Sequence, residues 1–142
     1  RWKQIADRYK DLPVREAAFE LFNEPTKAFD AQQLAEKIPE LLTAIRASNP
    51  KRVIVVPTPD WSAMKNITDI VLPKDDRRLI VTVHQYEPHN FTHQGASWSG
   101  KESQKWLGTP WEGTAEDQDN LRKLYGTVGE WAQENNRPIY VC

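Results

Sequence analysis

Two runs of aliphatic, mostly β-branched residues, 52–57 (Arg-Val-Ile-Val-Val-Pro) and 79–84 (Leu-Ile-Val-Thr-Val-His), constrain this chain more than anything else in it. Each is too short for a helix and lacks polar alternation, so each reads as a strand covered on both faces. Helical patterns separate such runs. Trp2, Ile5, Ala6 and Tyr9 repeat at helical spacing until Asp11-Leu12-Pro13 stops them. Leu34, Ile38, Leu41, Leu42 and Ile45 form one stripe, opened by Asp30 with Gln33 three residues on, the pattern of a capping box. Pro39 within that stripe predicts a kink or a split. Leu121, Leu124, Tyr125, Val128 and Trp131 form another stripe across 115–136. Residues 14–22, stopped by Asn23-Glu24-Pro25, and 138–141 supply two further strands, and 60–72 leaves room for a short helix. Strand and helix thus alternate four times, the signature of parallel β/α units.

The segments before the strands are brief, whereas those after them carry His, Trp, Tyr, Asn and Glu, and 85–114 is the longest. Parallel β/α folds keep their chemistry at the carboxyl ends of the strands. An open doubly wound sheet and a (β/α)8 barrel both satisfy this pattern. Only six glycines occur and none precedes residue 95, so no Gly-rich phosphate turn follows a strand. Composition removes other classes. With 19 basic against 20 acidic residues there is no basic footprint for nucleic acid and no polybasic membrane patch. No apolar stretch approaches the roughly 20 residues that span a bilayer. A single cysteine, Cys142, excludes an internal disulfide. The first residues read as a helix already under way with no signal peptide, so the chain is expected to be cut at its start.

Glu24 stands at the exit of the first strand, and Pro25 biases its backbone toward extended geometry. Counting back by twos puts Glu20 on the same face, where a strand buried on both sides needs each carboxylate paired or used. His84 and Tyr86 alternate at the exit of the 79–84 strand. His89 and His93 have the spacing of a helical metal pair, but the neighbouring proline, asparagine and glycine predict a loop and no third ligand is suitably spaced. No metal or other cofactor is expected. Six tryptophans are the compositional excess. Trp2 and Trp131 sit on helical stripes and read as core; Trp61 and Trp98 follow strands and suit the apolar faces of sugar rings. Trp106 and Trp111 flank Gly108-Thr109-Pro110 and pack the loop. Thr26 to Phe29 reads as a loop without chemistry.

These residues carry a resemblance. The segment 17–25, Ala-Ala-Phe-Glu-Leu-Phe-Asn-Glu-Pro, resembles the strand motif of glycoside hydrolase family 5, in which Asn-Glu-Pro ends the fourth strand of a (β/α)8 barrel. His84-Gln85-Tyr86 resembles the family's His-x-Tyr, and 86–98 is similar to the loop of its bacterial endoglucanases. The resemblance implies that Glu24 is the general acid/base and that Asn23 binds the sugar 2-hydroxyl. It further implies that His84, Tyr86 and His93 contact substrate or the reacting carboxylates. Residues alone would put the second carboxylate at Glu87, which also follows a strand and precedes a proline. The resemblance puts it at the end of strand seven, just beyond Cys142.

The expected fold is therefore a partial TIM barrel, about strands four to seven, in a single domain incomplete at both ends. The expected function is retaining hydrolysis of β-1,4-glucan, with β-mannan as a further substrate, since few hydrogen bonds read the 2-hydroxyl. Catalysis would fall to Glu24, and substrate binding to Asn23, His84, Tyr86, His93, Trp61 and Trp98. The alternative is a catalytically inert half-barrel or a carbohydrate-binding fragment. Partners are the polysaccharide and the missing strands or a chain that supplies them. Family resemblance implies a secreted or periplasmic location.

Overall fold

A computed structural model describes residues 1–26 and 29–142. Lys27 and Ala28, in the loop expected at Thr26 to Phe29, lie outside the described residues. Helix α1 (Trp2–Arg8) leads into strand β1 (Phe19–Glu20), followed by helix α2 (Ala31–Arg46), strand β2 (Ile54–Pro57), a 3-10 segment (Met64–Asp69), strand β3 (Leu79–Val83), the long helix Ala115–Asn135 and strand β4 (Ile139–Val141). All pairings are parallel and the strand order is β1-β2-β3-β4. Sequential order without reversal is how a β/α barrel is laid down, whereas a doubly wound sheet reverses at its switch point.

Leu34, Ile38, Leu42 and Ile45 of α2 are buried against the sheet with Phe19, Ile54, Val56, Leu79 and Val81. Asp30 accepts from the Gln33 N–H at 2.9 Å while the Gln33 side chain accepts from the Asp30 N–H, completing the capping box. Pro39 does not split α2, which runs unbroken through it. The residue is exposed, so water can reach the carbonyl that its missing N–H leaves free. The strand expected over 14–22 is shorter than its apolar pattern. Only Phe19–Glu20 pairs as a strand, and the Leu21 N–H extends the ladder to the Val55 carbonyl at 3.0 Å. Residues 14–16 turn instead.

Two buried arginines hold the amino ends of the strands. Arg52, 1% exposed, lies two residues before β2. Its guanidinium donates to the carbonyls of Tyr9, Leu12, Pro13 and Ala17 and to Asn49 Oδ1, gathering the chain that leads into β1. Arg137, likewise buried and two residues before β4, donates to the carbonyls of Pro73, Lys74 and Asp76, which lead into β3. Neither arginine has a carboxylate partner in these bonds. Each guanidinium instead spreads its donors over carbonyls of the segment that enters the neighbouring strand.

Candidate active site

Glu24, His84 and Tyr86 leave β1 and β3 at their carboxyl ends and meet in one cleft of about 590 Å3. His84 Nδ1 lies 2.8 Å from Glu24 Oε1, and the Tyr86 hydroxyl donates to the same oxygen over 3.4 Å. The His84 side chain is 7% exposed and the Glu24 carboxylate 30%, so the pair is sheltered on the imidazole side and open on the carboxylate side. Burial and the Glu24 charge beside it hold the Tyr86 phenol above its ordinary range, which keeps the hydroxyl a donor.

Glu24 departs from the extended geometry expected before proline. Its φ is 47°, in the left-handed region. The helical alternative is disfavoured before Pro25, and a left-handed residue turns the chain sharply enough at the strand exit to bring the carboxylate onto His84. Glu20 lies on the sheet face that carries Tyr140, the face that the remaining strands of a (β/α)8 barrel enclose, and has no ion pair among the described residues. Phe19 and Leu21 take the face of β1 that packs in the core with α2, and Glu20 takes the opposite face of the sheet.

Trp61, 44% exposed, and Trp98, 83% exposed, both line the cleft, as do His89 and His93. His89 and His93 do not sit in an irregular loop: His89–Thr92 forms a single helical turn and the two imidazoles stack at 4.0 Å between centroids. Tyr86 meets the edge of His93 at 5.1 Å, and Trp106 meets His89 at 5.6 Å. Asn23 is exposed and does not line the cleft, so it is the one expected binding residue that the fold does not bring together with the others. Glu87 lines the cleft, where its Oε2 accepts from the His89 N–H at 3.0 Å.

Sequence reasoning missed the segment Pro59–Ser62, whose Asp60 also lines the cleft. Asp60, Trp61 and Ser62 have φ of 56°, 61° and 58°. The Trp61 N–H donates to the Pro25 carbonyl at 2.7 Å, beside Glu24. The only signal was the Pro-Asp pair, which marks a turn without giving its hand.

The family model for cellulase (glycosyl hydrolase family 5) matches residues 1–142. Endoglucanase H of Acetivibrio thermocellus is 34% identical over 139 residues, covering 98% of this chain and 14% of that protein. The crystal structure of endoglucanase Cel5A from the hyperthermophilic Thermotoga maritima superimposes with a TM-score of 0.91 at 41% identity, covering 98% of this chain and 44% of that one. The same enzyme in complex with mannotriose gives a TM-score of 0.92 at 39% identity, covering 99% and 44%. The chain thus spans about a seventh of that curated relative and under half of these solved structures.

Proposed function

The chain belongs to glycosyl hydrolase family 5, and from that premise we propose that the protein it forms part of is a retaining endo-β-1,4-glucanase in which Glu24 is the general acid/base. The observation that carries the proposal is the convergence of two hydrogen-bonding groups on one oxygen of Glu24. His84 Nδ1 at 2.8 Å and the Tyr86 hydroxyl at 3.4 Å both address Oε1. With Nδ1 protonated, Oε1 is engaged as an acceptor and the transferable proton resides on Oε2. In a retaining mechanism that proton goes to the leaving glycosidic oxygen while a second carboxylate attacks the anomeric carbon. Glu24, now a carboxylate, then takes a proton from the water that releases the sugar.

The attacking carboxylate belongs at the exit of β4 by this reading. That exit lies beside β3, since the Gln85 N–H donates to the Cys142 carbonyl at 2.9 Å. Trp61 and Trp98 supply planes for pyranose faces, His93 a hydroxyl partner and Asn23, next to Glu24, a partner for the 2-hydroxyl. β-Mannan is a second substrate in this proposal, because the Thermotoga maritima relative is described in complex with mannotriose and, separately, with cellobiose. A secreted or periplasmic location goes with a polymeric substrate. Glu24→Gln in the intact protein tests the acid role. Turnover of glucan should fall roughly 10²- to 10⁴-fold while an aryl cellobioside with a dinitrophenolate leaving group keeps most of its rate. Equal losses on both substrates, or glucan turnover like the parent's, would overturn it.

A further inference from the structure

The excursion Pro59–Ser62 breaks the β2–β3 ladder in an unusual way. Pro57 pairs with Thr82 and Ala63 with His84, so six residue steps on one side oppose two on the other. Three consecutive non-glycine residues in the excursion are left-handed. Such residues occur singly as a rule, and a run of them persists only where surrounding bonds over-determine it. The far ends of two of those bonds are the reacting segments. The Trp61 N–H holds the Pro25 carbonyl at 2.7 Å, and the Ser62 carbonyl accepts from the His84 N–H at 2.7 Å. Within the excursion, Thr58 Oγ1 donates to the Ala63 carbonyl at 3.1 Å and Asn66 Nδ2 to the Pro59 carbonyl at 3.3 Å.

We propose that the left-handed run Asp60-Trp61-Ser62 is a positioning element: through the Trp61 amide and the Ser62 carbonyl it sets the backbone of Glu24-Pro25 against that of His84, and so aims the Glu24 carboxylate. This rests on the acid/base reading of Glu24. Trp61 then has two separable parts. Its ring offers a plane to the sugar, and its amide holds the neighbouring strand exit, so a sugar stacked on the ring also steadies the segment that carries the proton donor. The hand of the backbone is the agent in this proposal; the Asp60 carboxylate, whose Oδ1 is buried without a partner among the described residues, is a separate group.

Backbone and side chain are separated by substituting Asp60 in the intact protein. Asp60→Gly removes the carboxylate and keeps the left-handed conformation, whereas Asp60→Val removes it and opposes that conformation. Both variants lack the carboxylate, so the contrast between them reads the backbone alone: Asp60→Gly should keep at least roughly tenfold more kcat on glucan than Asp60→Val. Asp60→Val should lose roughly 10- to 30-fold in kcat on glucan with KM little changed, and keep an aryl dinitrophenyl cellobioside within about threefold. Retained aryl turnover also reports that the variant is folded. If Asp60→Val does not fold, Asp60→Ala, a milder opponent of the left-handed region, carries the same comparison. Any result in which the glycine variant and its opponent behave alike overturns the proposal, as does an equal loss on both substrates. Glu24→Gln measured alongside keeps the two readings apart: glucan turnover like the parent's in that variant defeats the acid/base reading itself, whatever Asp60 does.

Discussion

Replacing Arg52 with methionine keeps the length and bulk of the side chain and deletes its charge and donors. Six contacts of 2.6–3.3 Å currently reach five oxygens. The carbonyls of Tyr9 and Pro13 each also accept a backbone N–H, from Leu12 and Glu16. Those of Leu12 and Ala17, with Asn49 Oδ1, rely on the guanidinium. Stranding three such acceptors costs roughly 1–3 kcal/mol each. Against that stands the relief from desolvating a guanidinium, several kcal/mol, which is why an apolar replacement of a whole buried ion pair is often neutral. Here the acceptors, two main-chain carbonyls and the Asn49 side-chain oxygen, stay behind, so relief is partial and the net loss should be about 3–4 kcal/mol. The 5.0 Å placement of the guanidinium over the Phe19 ring adds to it. Thermal unfolding of the intact protein should show Tm lowered by roughly 5–10 °C. Arg52→Lys should fall between, because an ammonium has three donors on one atom and cannot serve five spread acceptors. A methionine variant as stable as the parent would refute the reasoning and show that water or rearranged loops satisfy those carbonyls.

Asp76 pairs with Arg46 through bonds of 2.7 and 3.1 Å. Burial pushes its carboxyl up, but the Arg46 side chain, the Arg78 N–H and the charges of Arg46 and Arg137 outweigh that and hold it below the usual carboxylate range. A carboxyl lowered on folding stabilises fully above its unfolded pKa of about 4 and loses that stabilisation as pH falls through the folded value. Asp76→Asn should therefore cost about 1–2 kcal/mol at pH 7, seen in denaturant midpoints, and the gap to the parent should close below about pH 4; a gap independent of pH would contradict the pairing. His84→Ala strips the 2.8 Å partner from Glu24 and should lower kcat on glucan about 10- to 100-fold, with a fall in Tm from the cavity left by the buried imidazole, while a loss confined to KM would make His84 a binding residue only. Trp98→Ala touches no core and should leave Tm within about 1 °C while raising KM on glucan roughly tenfold; unchanged KM would remove Trp98 from the substrate path.

Strands β2 and β3 were legible because every residue of a strand covered on both faces must be apolar, and that rule leaves its mark in sequence. β1 was overdrawn at 14–22 because an apolar run does not report which residues pair, and 14–16 turn instead. The convergence of Glu24, His84 and Tyr86 could be read from strand exits and the family motifs. The hand of Glu24 could not, since proline restricts its neighbour away from the helical region without choosing between the remaining ones. The excursion at Asp60–Ser62 left still less trace, because none of its three left-handed residues is the glycine that usually announces such a conformation. The arginines were invisible for a related reason: apart from Asn49 Oδ1, their partners are main-chain carbonyls, which every residue carries alike.

Those arginines sit at the opposite end of the sheet from Glu24, and this arrangement divides the labour of the molecule in space. Loops at the carboxyl ends of the strands can be lengthened, exchanged or diversified while Arg52 and Arg137 go on gathering the segments that enter β1 and β3. Selection for a new polysaccharide would act on one rim and leave the other untouched. A library that randomises the 85–114 loop around Trp98 should retain a high proportion of folded members, whereas one of equal size spread over residues 9–17 would forfeit most of them.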